Sequence, residues 1–309
     1  MKKLLLTLVL LLATAGGVLT LSPTTLLATV QFAERQLAGL SLHSQTVGDL
    51  TYSYYDGGPQ DAPAIVMIHG FGANKDNWLR FARPLTAQYR VIALDLPGFG
   101  DSSQPATISY DVGSQSERVL ALLDTLKIGK FHVIGNSMGG HISALLAARH
   151  PERVLSAALL DNAGVEAPNK SEFFRRIEQG EANPLVVNKP EDFQRLLDFV
   201  FVEAPPMPAP LQEHFAAQAM ANAPHYELIF SHLKDRYIPL EPELPKITAP
   251  VLLLWGDQDR VLDISSIEVM KPLLQKPSVV VMKNCGHVPM VERPEETAEH
   301  YLSFLTQAQ

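Results

Sequence analysis

Six short, largely apolar runs recur along the chain: Ala64–Ile68 (AIVMI), Val91–Leu94 (VIAL), Phe131–Ile134 (FHVI), Leu155–Leu160 (LSAALL), Val251–Trp255 (VLLLW) and Ser278–Met282 (SVVVM). Runs this short, without polar alternation, suit strands buried on both faces of a mostly parallel sheet. Between them lie segments of helical period. Tyr110–Leu126 carries Val112, Val119, Leu123 and Leu126 on one face, Met138–Arg149 ends at His150-Pro151, and Glu295–Leu305 aligns Ala298, Tyr301, Leu302 and Leu305. Such alternation implies an α/β fold with helices on both sides of the sheet. Ahead of it, His43–Val47 and Thr51–Tyr55 read as two edge strands closed by Asp56-Gly57-Gly58.

The rhythm breaks between Asp161 and Pro250, where no strand pattern appears and Phe173, Phe174, Ile177, Phe193, Phe199 and Phe201 fall at roughly helical spacing before a proline-rich link, Pro205–Pro210. A structureless loop of that length is implausible in a compact domain. Residues 165–246 are therefore expected to form a helical cap inserted into a core of residues 41–164 and 247–309. Phe173, Phe174, Phe199 and Phe201 either line an apolar substrate pocket or pack the cap onto that core.

Chemistry concentrates at the ends of the apolar runs. Gly135-Asn136-Ser137-Met138-Gly139-Gly140 follows FHVI and opens ISALLAAR. G-x-S-x-G between strand and helix is a nucleophile elbow, which strains Ser137 and projects its hydroxyl at the sheet's carboxyl edge, while Gly135 and Gly139 allow close backbone approach. After AIVMI comes His69-Gly70-Phe71-Gly72, whose turn points the Phe71 amide toward the nucleophile. The Phe71 and Met138 amides are then candidates for an oxyanion hole, and His69 for a structural role within the turn. His287, after the last apolar run and before the last helix, is the candidate base. A triad also needs an acid to hold the imidazole's tautomer. WGDQD offers Asp259, with Val261 beyond it to pack back, while Asp257 is expected to bond its own turn. Asp161, at the end of LSAALL, is a further alternative. The order Ser137, Asp259, His287 is that of α/β-hydrolases rather than of other triad folds.

These pieces together, HGFG (69–72), DLPGFGDS (95–102), GNSMGG (135–140), WGDQD (255–259) and CGH (285–287), resemble the α/β-hydrolase superfamily from about residue 50 onward. With the hydrophobic leader described below, the chain looks most like bacterial membrane-bound lipases related to the monoacylglycerol lipases, including single-pass phospholipases A. The resemblance implies hydrolysis of carboxylic esters of acylglycerols or glycerophospholipids, without a cofactor. GNSMGG is also shared with hydrolases that cleave carbon–carbon bonds of aromatic ring-fission products. Those typically carry Trp after the catalytic histidine, where this chain has Val288. Ser137 sets it apart from the dehalogenases and epoxide hydrolases of this fold, which use an Asp nucleophile.

The leader supplies that membrane element. Leu4–Leu21 is uncharged and follows Lys2 and Lys3. Eighteen helical residues span about 27 Å, close to the thickness of a bilayer core. One reading is a secretory signal with an A-x-A site at Ala13-Thr14-Ala15, giving a secreted esterase for small esters. The other is an inner-membrane anchor with the catalytic part in the periplasm, continued by a juxtamembrane helix in which Leu26, Val30, Ala33, Leu37 and Leu40 recur and Gly39 ends the pattern. The anchor reading assigns residues 1–40 to the membrane element. Ala13 and Gly17, small residues four apart, permit a homodimer through that helix. Beyond the leader the chain carries 23 basic against 33 acidic side chains, which argues against nucleic-acid partners. The single cysteine, Cys285, excludes an internal disulfide or a Cys-rich metal centre, and no metal constellation is evident.

Overall fold

The structure is a computed structural model that describes residues 23–308. Eight strands form one sheet: β1 (Leu40–Val47), β2 (Leu50–Gly57), β3 (Ala64–Ile68), β4 (Arg90–Leu94), β5 (Phe131–Asn136), β6 (Val154–Leu160), β7 (Val251–Gly256) and β8 (Pro277–Met282). Their order is β1-β2-β4-β3-β5-β6-β7-β8. β2 runs antiparallel to β1 and β4, and every other pairing is parallel. The longer helices are α1 (Pro23–Ala38), α2 (Val112–Thr125), α3 (Met138–Arg149), α4 (Glu172–Glu178), α5 (Pro190–Val200), α6 (Ala209–Asp235) and α7 (Pro294–Gln307).

Period-two alternation divides the apolar runs between two cores. Val66, Ile68, Ile92, Val133, Leu159 and Leu253 pack with Val119, Leu122, Ile142 and Leu145 of α2 and α3. Ile65, Met67, Val91, Ile134, Leu160 and Leu254 face the other way, onto Trp78, Phe81 and the Tyr301 and Phe304 side of α7. Both faces of the central strands are thereby closed, as uniform apolarity requires. β8 departs from this expectation. It is an edge strand, so alternate residues Val279 and Val281 stay exposed although the run reads as apolar throughout. The first hairpin also differs from its expected form: β1 and β2 join through Gly48-Asp49, and β2 is interior, paired on its far side with β4.

From β6 to β7 the described chain makes helices and no strand. α1 ends at Ala38, with Gly39 at a positive φ of 64°, so Leu40 begins β1 rather than extending the helix. Gln31 of α1 donates to Asp76, Glu34 pairs with Arg80 and Arg83, and Thr86 Oγ1 donates to the Ala38 carbonyl. Leu37 (66 % exposed) and Phe32 (55 % exposed) face outward. No helix among the described residues is long and apolar enough to cross a membrane, and the span expected at Leu4–Leu21 lies outside them.

Candidate active site

β5 ends and α3 begins at Ser137, whose φ of 56° and ψ of −118° lie in a region that non-glycine residues rarely occupy. Strain of this kind persists only where the surroundings impose it. Here a side chain at Gly135 would stand 2.2 Å from the Gly139 carbonyl oxygen, and one at Gly139 would stand 2.1 Å from that of Ile68. Strand β3, the elbow and α3 meet backbone to backbone. The Ser137 amide donates to Leu160 O (3.0 Å), and its carbonyl accepts from His141 and Ala163. Ser137 is 9 % exposed.

The turn after β3 sits against the elbow, since a side chain at Gly70 would lie 3.1 Å from Ser137 Cβ. His69 is fully buried. Its Nε2 accepts from the Leu96 amide (3.0 Å), which leaves Nδ1–H to donate to the Gly70 carbonyl (2.7 Å). Burial holds this ring's pKa below its ordinary value, despite the opposing pull of Asp95, so it stays neutral and both bonds persist. His69 thus ties the turn to the DLPGFGDS segment. A buried ion pair reinforces the tie: Lys75 Nζ reaches Asp95 and Asp101, both at 2.7 Å, and Asp95 also accepts from the Lys75 and Asp101 amides. The Phe71 and Met138 amides have no acceptor among the described residues. Met138 opens α3, where first-turn N–H groups lack intrahelical partners and the helix dipole favours negative charge.

The acid and the imidazole meet beside this turn. His287 Nδ1 and Asp259 Oδ2 are 2.8 Å apart, and Asp259 Oδ1 accepts from the Val261 (2.7 Å) and Leu262 (3.1 Å) amides. Val261 is buried behind it. A side chain at Gly256 would stand 2.1 Å from the Gly286 carbonyl oxygen, so the loops after β7 and β8 also touch through backbone. Asp257 does not bond its own turn as expected. It accepts from the Asn284 amide (2.8 Å) and pairs with Lys283, linking the same two loops at the surface. The His287 amide donates to Val200 O (2.8 Å) at the end of α5, and its carbonyl accepts from Asn136 Nδ2 (2.9 Å). Among the described residues no hydrogen bond joins Ser137 Oγ to the His287 ring. Cys285 is buried, and burial pushes its thiol well above the ordinary range, which makes it a packing group.

The aromatic residues separate. Phe173 and Phe199 are buried in the core that includes Met138. A chain of ring contacts runs from Phe71 to Phe230 (6.0 Å) and on to Phe173 (6.0 Å), and Tyr226 stacks on Phe99 (5.7 Å). Phe174 is 46 % exposed and touches Phe173 from outside, so it makes a poor pocket wall. Successive helix residues point about 100° apart, and only one of two adjacent Phe can face inward. Phe201 is half-buried beyond the end of α5, with its Cα against Gly286.

Several supporting residues have no distinct mark in the sequence. Asn136 stands as a mere spacer within GNSMGG, yet it reaches across 151 residues to the histidine loop. Glu292 accepts from the Gly286, Val202 and Glu203 amides, fastening that loop to the segment after α5. Tyr226 and Phe230 lie on α6, whose apolar residues are spread around the helix so that no single face marks their inward direction.

Residues 63–294 match the family model for the alpha/beta hydrolase fold. The chain belongs to the α/β-hydrolase fold family. Among solved structures it is similar to a membrane phospholipase A described as a novel bacterial virulence factor, with 64% identity, 100% of this chain and 99% of that one covered, and a TM-score of 0.92. It is also similar to Lipase 1 of Psychrobacter immobilis, at 36% identity over 88% of this chain and 86% of the relative. A monoacylglycerol lipase of Mus musculus is 28% identical over 92% of this chain and 88% of its own length. With such relatives around an α/β-hydrolase domain, the chain is a carboxylic-ester hydrolase.

Proposed function

We propose that the protein is a membrane-associated serine hydrolase that cleaves acyl esters of glycerolipids, a lipase, lysophospholipase or phospholipase A, through Ser137, His287 and Asp259. The observation that carries this reading is the 2.8 Å His287–Asp259 pair beside a serine held at positive φ, with two acceptor-free amides at the same sheet edge. Asp259 keeps Nδ1 protonated, so Nε2 is the nitrogen left to take a proton. In the reaction His287 Nε2 accepts the Ser137 hydroxyl proton as Oγ attacks the ester carbonyl. The Phe71 and Met138 amides receive the charge that develops on the carbonyl oxygen. His287 then gives its proton to the departing alcohol, leaving an acyl-serine. Water repeats the cycle: its proton passes to His287, its oxygen takes the acyl carbon, and Ser137 Oγ recovers a proton as the fatty acid leaves.

The likeness to a membrane phospholipase A and to lipases supports glycerolipids as the substrate class. In this reading residues 1–40 hold the enzyme on the periplasmic side of the bacterial inner membrane and provide the surface for a homodimer. Residues 41–164 with 247–309 form the core, and 165–246 the cap. Tethering raises the local concentration of a bilayer-borne ester without any added contact. Phe173, Phe199 and Phe201, with Phe71 and Phe230, form the apolar roof over the acyl chain.

Purified full-length protein tested on monoacylglycerols, phospholipids and short p-nitrophenyl esters decides the matter. Ser137→Ala should lower kcat about 10⁴-fold or more on every ester while circular dichroism is unaltered. A folded Ser137→Ala enzyme that kept a tenth of the activity would remove Ser137 from its role, and preference for short esters over glycerolipids would remove the lipid assignment.

A further inference from the structure

A second acid stands behind the His287–Asp259 pair. Asp161 ends β6 at a φ of 43°, unusual for a non-glycine residue, and is fully buried. Its amide donates to Leu254 O (2.9 Å), and its Oδ1 accepts from the Gly256 amide (2.9 Å). Its Oδ2 is sealed from solvent with no hydrogen-bond partner among the described residues. Asp161, Asp259 and His287 each bring a ligand atom within 4.8 Å of the others. A buried oxygen without a donor is costly, and two carboxylates this close in a dry site cannot both be charged.

The surrounding donors decide which one keeps the proton. Asp259 faces three, the amides of Val261 and Leu262 and the His287 ring, all of which favour its charged form. Asp161 has one, the Gly256 amide. Its titratable neighbours are Asp259 itself, the His287 ring that Asp259 already holds, the buried Cys285 thiol and Glu292, and Glu292 is occupied by three amides of its own. We propose that Asp161 is a positioning residue: a neutral carboxylic acid whose Oδ2–H donates to Asp259 and fixes the carboxylate that orients His287. Burial and the adjacent Asp259 charge hold the Asp161 carboxyl well above the usual carboxylate range, in keeping with this arrangement. The inference rests on the triad reading given above and adds a fourth group to it.

Two variants and one spectrum test it on the full-length enzyme. Asp161→Asn keeps a donor toward Asp259 and an acceptor for Gly256, so kcat should stay within about threefold of wild type, with the acid limb of kcat/KM unmoved. Asp161→Ala deletes the donor. It should lower kcat about tenfold with little change in KM. It should also move the acid limb up by roughly half a pH unit, because a less shared Asp259 charge stabilises the imidazolium. Infrared difference spectra of wild type minus Asp161→Asn at pH 7 should show a protonated-carboxyl C=O stretch, and this readout stands even if the alanine variant folds poorly. An acid limb displaced downward in Asp161→Asn would mean an ionised Asp161. Loss of activity in Asp161→Asn as deep as in Asp259→Asn would make Asp161 the acid partner, and wild-type behaviour of Asp161→Ala would make it a bystander. Each of these overturns the proposal. Activity surviving in Ser137→Ala would instead overturn the triad on which it rests, while a carboxylic-acid band would still register Asp161 itself.

Discussion

The carboxyl edge of the sheet and the helices between β6 and β7 are held by different forces. At the edge, backbone is packed on backbone. Gly135, Gly139 and Gly256 have no room for a methyl group, Asn136 and Asp161 are bonded to main-chain atoms of other loops, and Asp259 to amides of its own. Over it, α4, α5 and α6 lean on ring contacts among Phe71, Phe173, Tyr226 and Phe230 and on exposed ion pairs such as Lys170–Glu178. Surface pairs of that kind are worth about 0–1 kcal/mol. The two regions are joined by packing of Phe173, Phe199 and Ile229 into the core and by directed bonds, among them the His287 amide on Val200, the Phe173 amide on Arg260 and Glu292 on the amides of residues 202 and 203. A centre packed backbone on backbone tolerates little change in shape, whereas a roof closed largely by side-chain packing tolerates more.

The largest contrast lies within one loop of the edge. Asp259→Asn should lower kcat about 10⁴-fold, because an amide no longer specifies the imidazole tautomer. Asp257→Asn, two residues away and bonded at the surface, should alter kcat by less than about twofold. Steady-state kinetics on a soluble ester separate them, and equal damage would break the distinction between centre and periphery. Next come two glycines. Gly139→Ala drives a methyl group onto the Ile68 carbonyl and should cost about 3 kcal/mol or more in urea unfolding. Gly180→Ala, just past α4 with no neighbour within 4 Å, meets only the strain of its φ of 77°, about 1 kcal/mol.

Titration gives a third comparison. Burial lowers the pKa of both His132, on β5, and His141, which meets Ile238 O near the end of the cap, to about 4. With folded values below the unfolded 6.5, the unfolded chain binds more protons between pH 6.5 and 4. Stability is therefore full above this window and falls as pH drops through it. Each histidine should contribute a loss of about 2 kcal/mol between pH 7 and pH 5. Urea midpoints at those two pH values for His132→Gln and His141→Gln measure each share. The smallest expected effect is in the roof: Phe230→Ala should reduce kcat/KM for long-chain esters about tenfold and leave short esters within twofold. An equal loss on both would place Phe230 in the fixed centre.

What was legible in the sequence follows the same division. The strand-to-helix turn at Ser137, the His-Gly turn and the pairing of Asp259 rather than Asp257 with the His287 ring were readable because each depends on local rules: a strand running into a turn, glycines at fixed offsets, and an apolar residue two positions past an acid. Asn136, Glu292 and the strained Asp161 could not be read as supports, since each reaches at least one partner between about 90 and about 150 residues away. Phe174 and the outer valines of β8 were misjudged for a geometric reason. Composition marks them as apolar, but helix phase and an edge position turn them outward. Phe230 and Tyr226 escape a sequence reading because the apolar residues of α6, many of them alanines, are spread around the helix without one clear face, and Pro224 interrupts it.

The central claim is that Ser137 is the group that attacks the ester carbonyl, and an active-site label tests it most directly. Folded full-length protein treated with a fluorophosphonate and analysed by peptide mass spectrometry should carry one adduct per chain, on Ser137, and none in Ser137→Ala. An adduct on another residue, or none on a chain whose circular dichroism is native, would contradict the account.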